Sequence, residues 1–133
     1  MSLIGSTNEE KIWNYLKAKG LPDCGIAGLM GNLYAESCLI PTNLQNSYEK
    51  SIGFTDAAYT AAVDNGTYQN FVKDSAGYGL AQWTYWSRKK NLLDFTKKKG
   101  KSIGDLEMQL DFLWNELQGY TAVISTLKTA KTV

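Results

Sequence analysis

Apolar residues recur at helical spacing along most of this chain, and the period lapses in two places, at 41–54 and at 75–84. A first helix is expected from Ser6 or Thr7. Thr7 with Glu10 three residues on fits a capping box, Ile12, Trp13 and Leu16 make the apolar stripe, and Gly20 supplies the stop. Asp23 reads as the N-cap of a second helix running to about Glu36. Here small residues, Gly25, Ala27, Gly28 and Gly31, alternate with large apolar ones, Ile26, Leu29, Met30, Leu33 and Tyr34. Such a helix is apolar nearly all round and belongs at the centre of a small domain, with small residues where neighbours approach closely. Each glycine weakens the isolated helix by about 1 kcal/mol relative to alanine, so tertiary packing must hold it. Pro41 forbids much extension.

The stretch 41–54, rich in Asn and Ser, reads as a long loop of the kind that carries binding function. A short amphipathic helix is expected at 55–63, closed by Asp64, Asn65 and Gly66, and a second short helix at 67–73. Over 75–84, SAGYGLAQWT, two glycines followed by alternation predict a tight turn into a short strand. Alternation sends Tyr78, Leu80 and Gln82 one way and Ala81 and Trp83 the other, one set toward a cleft and one toward the core. Trp83 is a candidate for either. A long helix at 85–99 turns Leu92, Leu93 and Phe95 inward and ends at Gly100. Another starts at Ser102 with Asp105 in the capping-box position and carries Leu106, Leu110, Leu113, Trp114 and Leu117 to Gly119. The last stretch, 120–133, is helical in pattern through Val123, Ile124 and Leu127; Trp13 and Trp114 are expected in the core.

With 133 residues, 44% hydrophobic and 20% charged, the chain reads as one globular domain, 1–133. No apolar run approaches a membrane span and no signal peptide opens the chain. Met1-Ser2-Leu3 fits an expression remnant, and the uncapped last stretch fits a domain excised from a longer protein. A net charge of +1 gives no dominant pull toward nucleic acid. The absence of histidine removes Ser/His and Cys/His nucleophile pairs and the commonest zinc ligand. No metal motif, phosphate loop or dinucleotide fingerprint occurs, so neither a metal nor another cofactor is expected. Acid–base chemistry falls first to carboxylates. Cys24 and Cys38, fourteen positions apart on one helix, would stand about 21 Å from each other. A disulfide needs about 7 Å, so both are expected as buried free thiols. The run Lys97, Lys98, Lys99 and Lys101 is a solvated helix end, favourable to the dipole.

Glu36 is the acid that stands out. It ends the central helix, where the dipole disfavours a carboxylate and apolar surface favours the protonated form that a general acid needs. Two motifs, Tyr34-Ala35-Glu36-Ser37 and Gly77-Tyr78-Gly79-Leu80-Ala81-Gln82-Trp83-Thr84, together resemble the lysozyme-like superfamily, and most closely phage tail lysozyme domains. There a catalytic Glu, often followed by Ser, ends a central helix, and a Gly-x-Gly-hydrophobic-x-Gln strand lies across the cleft. The resemblance implies a mainly α, lysozyme-like α+β fold: helices around a buried central helix, with a small β-hairpin beside the cleft. It implies a peptidoglycan-cleaving glycosidase with Glu36 as general acid and Gln82 and the backbone of Gly79 to Ala81 at the sugar subsites. Tyr34, Tyr78 and Trp83 are added as aromatic sugar contacts, with Tyr85 and Trp86 nearby.

One departure matters. Hen-type lysozymes carry a nucleophilic aspartate where this chain has Gly77. The pattern is closer to goose-type lysozymes and lytic transglycosylases, where water attacks from the opposite face or the substrate's own hydroxyl closes an anhydro ring. Asp74 is the best candidate for a second carboxylate, ahead of Glu49, Asp56 and Asp64, although a surface acid or cap is the plainer role for each. Inverting chemistry would want it about 6.5–9.5 Å from Glu36. The competing readings are a lytic transglycosylase and a non-catalytic glycan-binding or structural tail domain that kept the fold. The expected partner is the glycan strand of peptidoglycan, not nucleic acid or membrane. The isolated domain is expected to be monomeric and to act outside the bacterial cell or from a phage tail or endolysin.

Overall fold

The computed structural model describes residues 3–131; Met1, Ser2 and the last two residues of the terminal helical pattern lie outside it. Seven helices occur among the described residues: α1 (Asn8–Ala18), α2 (Asp23–Ser37), α3 (Asn46–Ile52), α4 (Asp56–Asp64), α5 (Trp86–Lys99), α6 (Leu106–Gln118) and α7 (Thr121–Thr129). The class is mainly α. Helix α2 packs on α1 and α7, and α6 packs on α5, α7 and α1. One apolar cluster runs through the domain, from Ile12 and Leu16 of α1 to Ile124 of α7.

Local chemistry explains the helix starts. Thr7 Oγ1 accepts from Glu10 N–H at 3.1 Å, capping α1. Asp23 is the first residue of α2 instead of its cap; Pro22 holds the cap position, and Asp23 pairs with Lys17. Asp105 is likewise the cap of α6 itself, with Oδ2 accepting from Met108 N–H at 2.9 Å, so that helix starts later than expected from Ser102. Helix α4 falls where predicted, capped by Thr55. In α5 Leu92 is buried and Leu93 and Phe95 are half-buried; Trp13 and Trp114 are also half-buried against the core.

The close approach expected of α2 occurs at Gly25. A Cβ there would lie 2.1 Å from the Leu127 carbonyl oxygen of α7. Gly28 and Gly31 face open space, and α2 is not buried all round. Ile26, Met30 and Leu33 point inward, whereas Tyr34, Ala35 and Glu36 are exposed. With α1 and α7 packed along α2, its last turn reaches the surface on the remaining side. Cys24 is half-buried and Cys38 exposed, both free, so the thiols are unbridged as expected but not buried.

Three local expectations are corrected. The 41–54 loop contains α3, whose Tyr48 and Ile52 pack against the core and whose end is set by Gly53 at φ +73. Tertiary contact supplies what the weak period could not show. No helix forms at 67–73, because the Asn65 side chain takes the Thr67 N–H in a turn and Phe71 is drawn into the core. The small β-hairpin is absent among the described residues: two isolated bridges, Leu44 to Tyr78 and Tyr78 to Trp83, stand in its place. Between Tyr78 and Trp83 the chain reverses within four residues, with Gly79 at φ +84 and Gln82 at φ +48. Side chains take both backbone polar groups of Leu80, so no ladder extends. Alternation fails with the strand, and Tyr78, Leu80 and Trp83 are all fully buried.

Candidate functional site

The two motifs meet through Ser37. Its Oγ lies 3.0 Å from Leu33 O and 2.8 Å from Leu80 O, so its single proton ties the end of α2 to the Gly79–Gln82 turn. Glu36, the residue before Ser37, is exposed on the last turn of the helix. Helix α2 closes through two successive non-glycine residues in the left-handed region, Cys38 at φ +55 and Leu39 at φ +61. Cys38 N–H donates to Tyr34 O, Asn43 Nδ2 to Ser37 O, and Asn8 Nδ2 to Leu39 O, which satisfies the carbonyls at the helix end. Three of the four positive-φ non-glycine residues among the described ones, Cys38, Leu39 and Gln82, therefore sit at this junction. Strain of order 1–3 kcal/mol each persists where surrounding bonds over-determine it, and it concentrates at functional sites.

Gln82 is fixed twice over. Its Nε2 donates to Asn43 O at 2.9 Å and to Gly79 O at 3.0 Å, which leaves Oε1 as the free end of the amide. That oxygen packs on Gly77, where a Cβ would lie 2.7 Å from it and 3.2 Å from both Gln45 Oε1 and Thr84 Oγ1. Gly77 N–H donates to Gln45 Oε1 at 3.0 Å. The position occupied by a carboxylate in hen-type sequences is thus ringed by neutral oxygens.

Asp74 is elsewhere in character. Its carboxylate accepts from Lys89 Nζ at 2.5 Å, Tyr59 OH at 2.6 Å, Tyr68 OH at 2.8 Å and Ala76 N–H at 3.0 Å. The two ion-pair side chains are 0% and 2% exposed. Lys89 Nζ also donates to Ala76 O and stands 4.3 Å from the Phe71 ring centroid. Burial pushes the Lys89 ammonium below its ordinary range, more than the carboxylate restores, and burial with the Asp74 contact pushes the Tyr59 hydroxyl up. A carboxylate with four partners and almost no exposed surface has its lone pairs taken up within the protein. Through these four bonds Asp74 braces the floor of the domain.

Of the expected aromatic contacts, Tyr78 and Trp83 are buried beneath the site. Tyr78 OH bonds Thr60 at 2.5 Å, and Trp83 Nε1 donates to Glu116 at 2.8 Å. Neither ring has a face open to a sugar, and Gly79 is buried between the Trp83 ring and Gln109. Tyr34 is exposed but sits about 200° around the helix from Glu36. It lines a surface cavity of about 430 Å³ with Met30, Cys38 and Leu39, on another face from the acid.

The sequence profile of the phage tail lysozyme family matches residues 7–133, which includes both motifs. The chain belongs to the phage tail lysozyme family. Searches of curated proteins and of solved structures gave no significant match. For this phage tail lysozyme domain, sequence reasoning missed one structural hub, Gln109 of α6. Its Oε1 accepts from Leu80 N–H at 3.0 Å, and its Nε2 donates to Pro41 O and Ile103 O, both at 2.6 Å. A signal was present: Gln109 lies three residues after Leu106 and four before Leu113, a polar residue inside the apolar stripe. Lys89 carries the same signal, three residues before Leu92.

Proposed function

We propose that this domain cleaves the glycan strand of peptidoglycan as a muramidase-type glycosidase, with the Glu36 carboxyl delivering its proton to the glycosidic oxygen as the bond to the anomeric carbon breaks. Family membership supports the substrate class. The observation that supports the choice of Glu36 is the Ser37–Leu80 bond, which ties the end of α2, where Glu36 is exposed, to the strained Gly79–Gln82 turn. Gln82 Oε1, with its amide orientation fixed by two carbonyls, is positioned to accept from a sugar hydroxyl or amide N–H. Site action is expected on the bacterial wall, from a phage particle or a lysis protein, and without a metal or cofactor.

The neutral surroundings of Gly77 favour a second reading of the same site. Gln45, Gln82 and Thr84 orient donors but take no proton at neutral pH, so nothing at that position forms a covalent intermediate or activates water. A lytic transglycosylase needs neither, because the substrate's own hydroxyl closes the ring. The test is digestion of purified peptidoglycan with mass spectrometry of the soluble products. Reducing ends support water as nucleophile; anhydro ends, lighter by one water, support the transglycosylase. Glu36→Gln should abolish both kinds of product while binding persists. Undiminished cleavage by Glu36→Gln would overturn the assignment, and binding without cleavage by the unaltered domain would leave a glycan-binding module.

A further inference from the structure

Exposed aromatic rings are expensive in a folded domain, and here they are not scattered. Among the described residues four aromatic side chains are exposed: Tyr34 at 60%, Tyr85 at 65%, Trp86 at 54% and Tyr120 at 56%. Two of them, Tyr85 and Trp86, follow directly on the turn that abuts the end of α2, with ring centroids 6.2 Å apart and planes inclined by 37°. Their outward position is enforced from below by one carboxylate. Glu116 of α6 accepts from Trp83 Nε1 at 2.8 Å and from Arg88 through Nε at 3.0 Å and Nη2 at 2.9 Å. Both ends of the segment 83–88 are thereby fastened to the same side chain, with the exposed Tyr85 and Trp86 between them. The bond to Glu116 pushes the Arg88 guanidinium up.

We propose that Tyr85 and Trp86 are a preformed platform for pyranose rings, which holds the glycan strand beyond the bond that is cut. This rests on the reading of the Glu36 site as a glycan cleft and names a second place where the same strand is gripped. The chemistry fits a saccharide. A sugar ring presents a flat face of C–H groups to an aromatic ring and hydroxyls at its edge, and the platform has both aromatic faces and a polar border of Thr84, Arg88 and Glu116. Rings held outward before binding cost little ordering entropy when the strand arrives. Continuity with the Gly79–Gln82 turn points to the strand in the cleft as the occupant, and not to a membrane or a second copy of the chain.

The test uses the full domain carrying Glu36→Gln, so that strands stay uncut, titrated calorimetrically with chitin oligosaccharides of increasing length and with solubilised peptidoglycan strands. Tyr85→Ala and Trp86→Ala, added singly, should each weaken binding of the longer strands about tenfold, with short oligosaccharides held as before. Trp86→Phe should retain most of the affinity, and melting temperatures should be unchanged because both rings are exposed. Equal affinity of the alanine variants for long strands overturns the platform while leaving the cleft intact. Altered self-association or vesicle binding without altered glycan affinity overturns it too. If the Glu36→Gln domain binds no strand at all, the reading of the cleft falls with it.

Discussion

Removing the Asp74 side chain separates a structural from a catalytic role for that residue. In Asp74→Ala, Lys89 keeps a fully buried ammonium with a carbonyl and a phenol for company and no counter-charge. Breaking one side of a buried pair costs about 3–5 kcal/mol, from a total domain stability of about 5–15 kcal/mol. At this chain length roughly 3–5 °C of melting temperature goes with each kcal/mol, so a fall of about 10–20 °C is expected by calorimetry or circular dichroism. The pH dependence has a definite sign. With the carboxylate gone, burial alone acts on Lys89 and holds it further below its ordinary 10.5. Between that lowered value and 10.5 the unfolded chain binds more protons than the folded one, so the stability of Asp74→Ala rises as pH is raised through that window. Replacing both partners, Asp74→Leu with Lys89→Met, should recover most of the loss, because no charge is then stranded. Specific activity of the folded fraction on cell walls should survive in the double variant. A variant that melts like the unaltered domain and yet releases no soluble wall fragments would refute this account and return Asp74 to the site.

Gly25→Ala and Gly28→Ala make the same change in one helix with opposite outcomes. The first forces a methyl onto the Leu127 carbonyl and should cost about 1–3 kcal/mol; the second meets nothing within 4 Å and should stabilise by roughly 1 kcal/mol, both read by urea denaturation. Gln109→Glu sets an oxygen against the Pro41 and Ile103 carbonyls in place of two donated bonds. A loss of at least about 2 kcal/mol is expected in chemical unfolding, together with a fall in kcat on cell walls as the Leu80 turn shifts. The Glu49 carboxyl is pushed up by its hydrogen bond with Asp56. The stability this pair adds is fully present below 4.5, where the free side chain titrates, and is lost as pH rises through the raised value; Glu49→Gln should flatten that slope in melting-temperature scans.

The helical framework was legible because its causes are local. Thr7, Thr55, Gly20 and Gly100 start and stop helices through bonds or backbone angles within a few residues. The apolar stripes of α1 and α6 report a buried face whatever buries it. Glu36 and the 77–84 motif were legible as chemistry, since a carboxyl at a helix end and a glycine-rich turn need no partner to be noticed. Which atoms meet was decided in three dimensions. Alternation at 78–83 promised a strand with a sugar-facing side, but Ser37 and Gln109, 43 and 29 residues from Leu80, take its backbone groups and pull Tyr78 and Trp83 inside. The same kind of bonding makes Asp74 a brace for Lys89, because an ammonium and two phenols from positions 6 to 15 residues away come onto it. Sequence thus determines the well-capped helices, whose propensities act over one or two turns. Exposure and pairing depend on contacts across the whole chain, and here these contacts put Glu36, Tyr85 and Trp86 in water and Asp74, Tyr78 and Trp83 out of it.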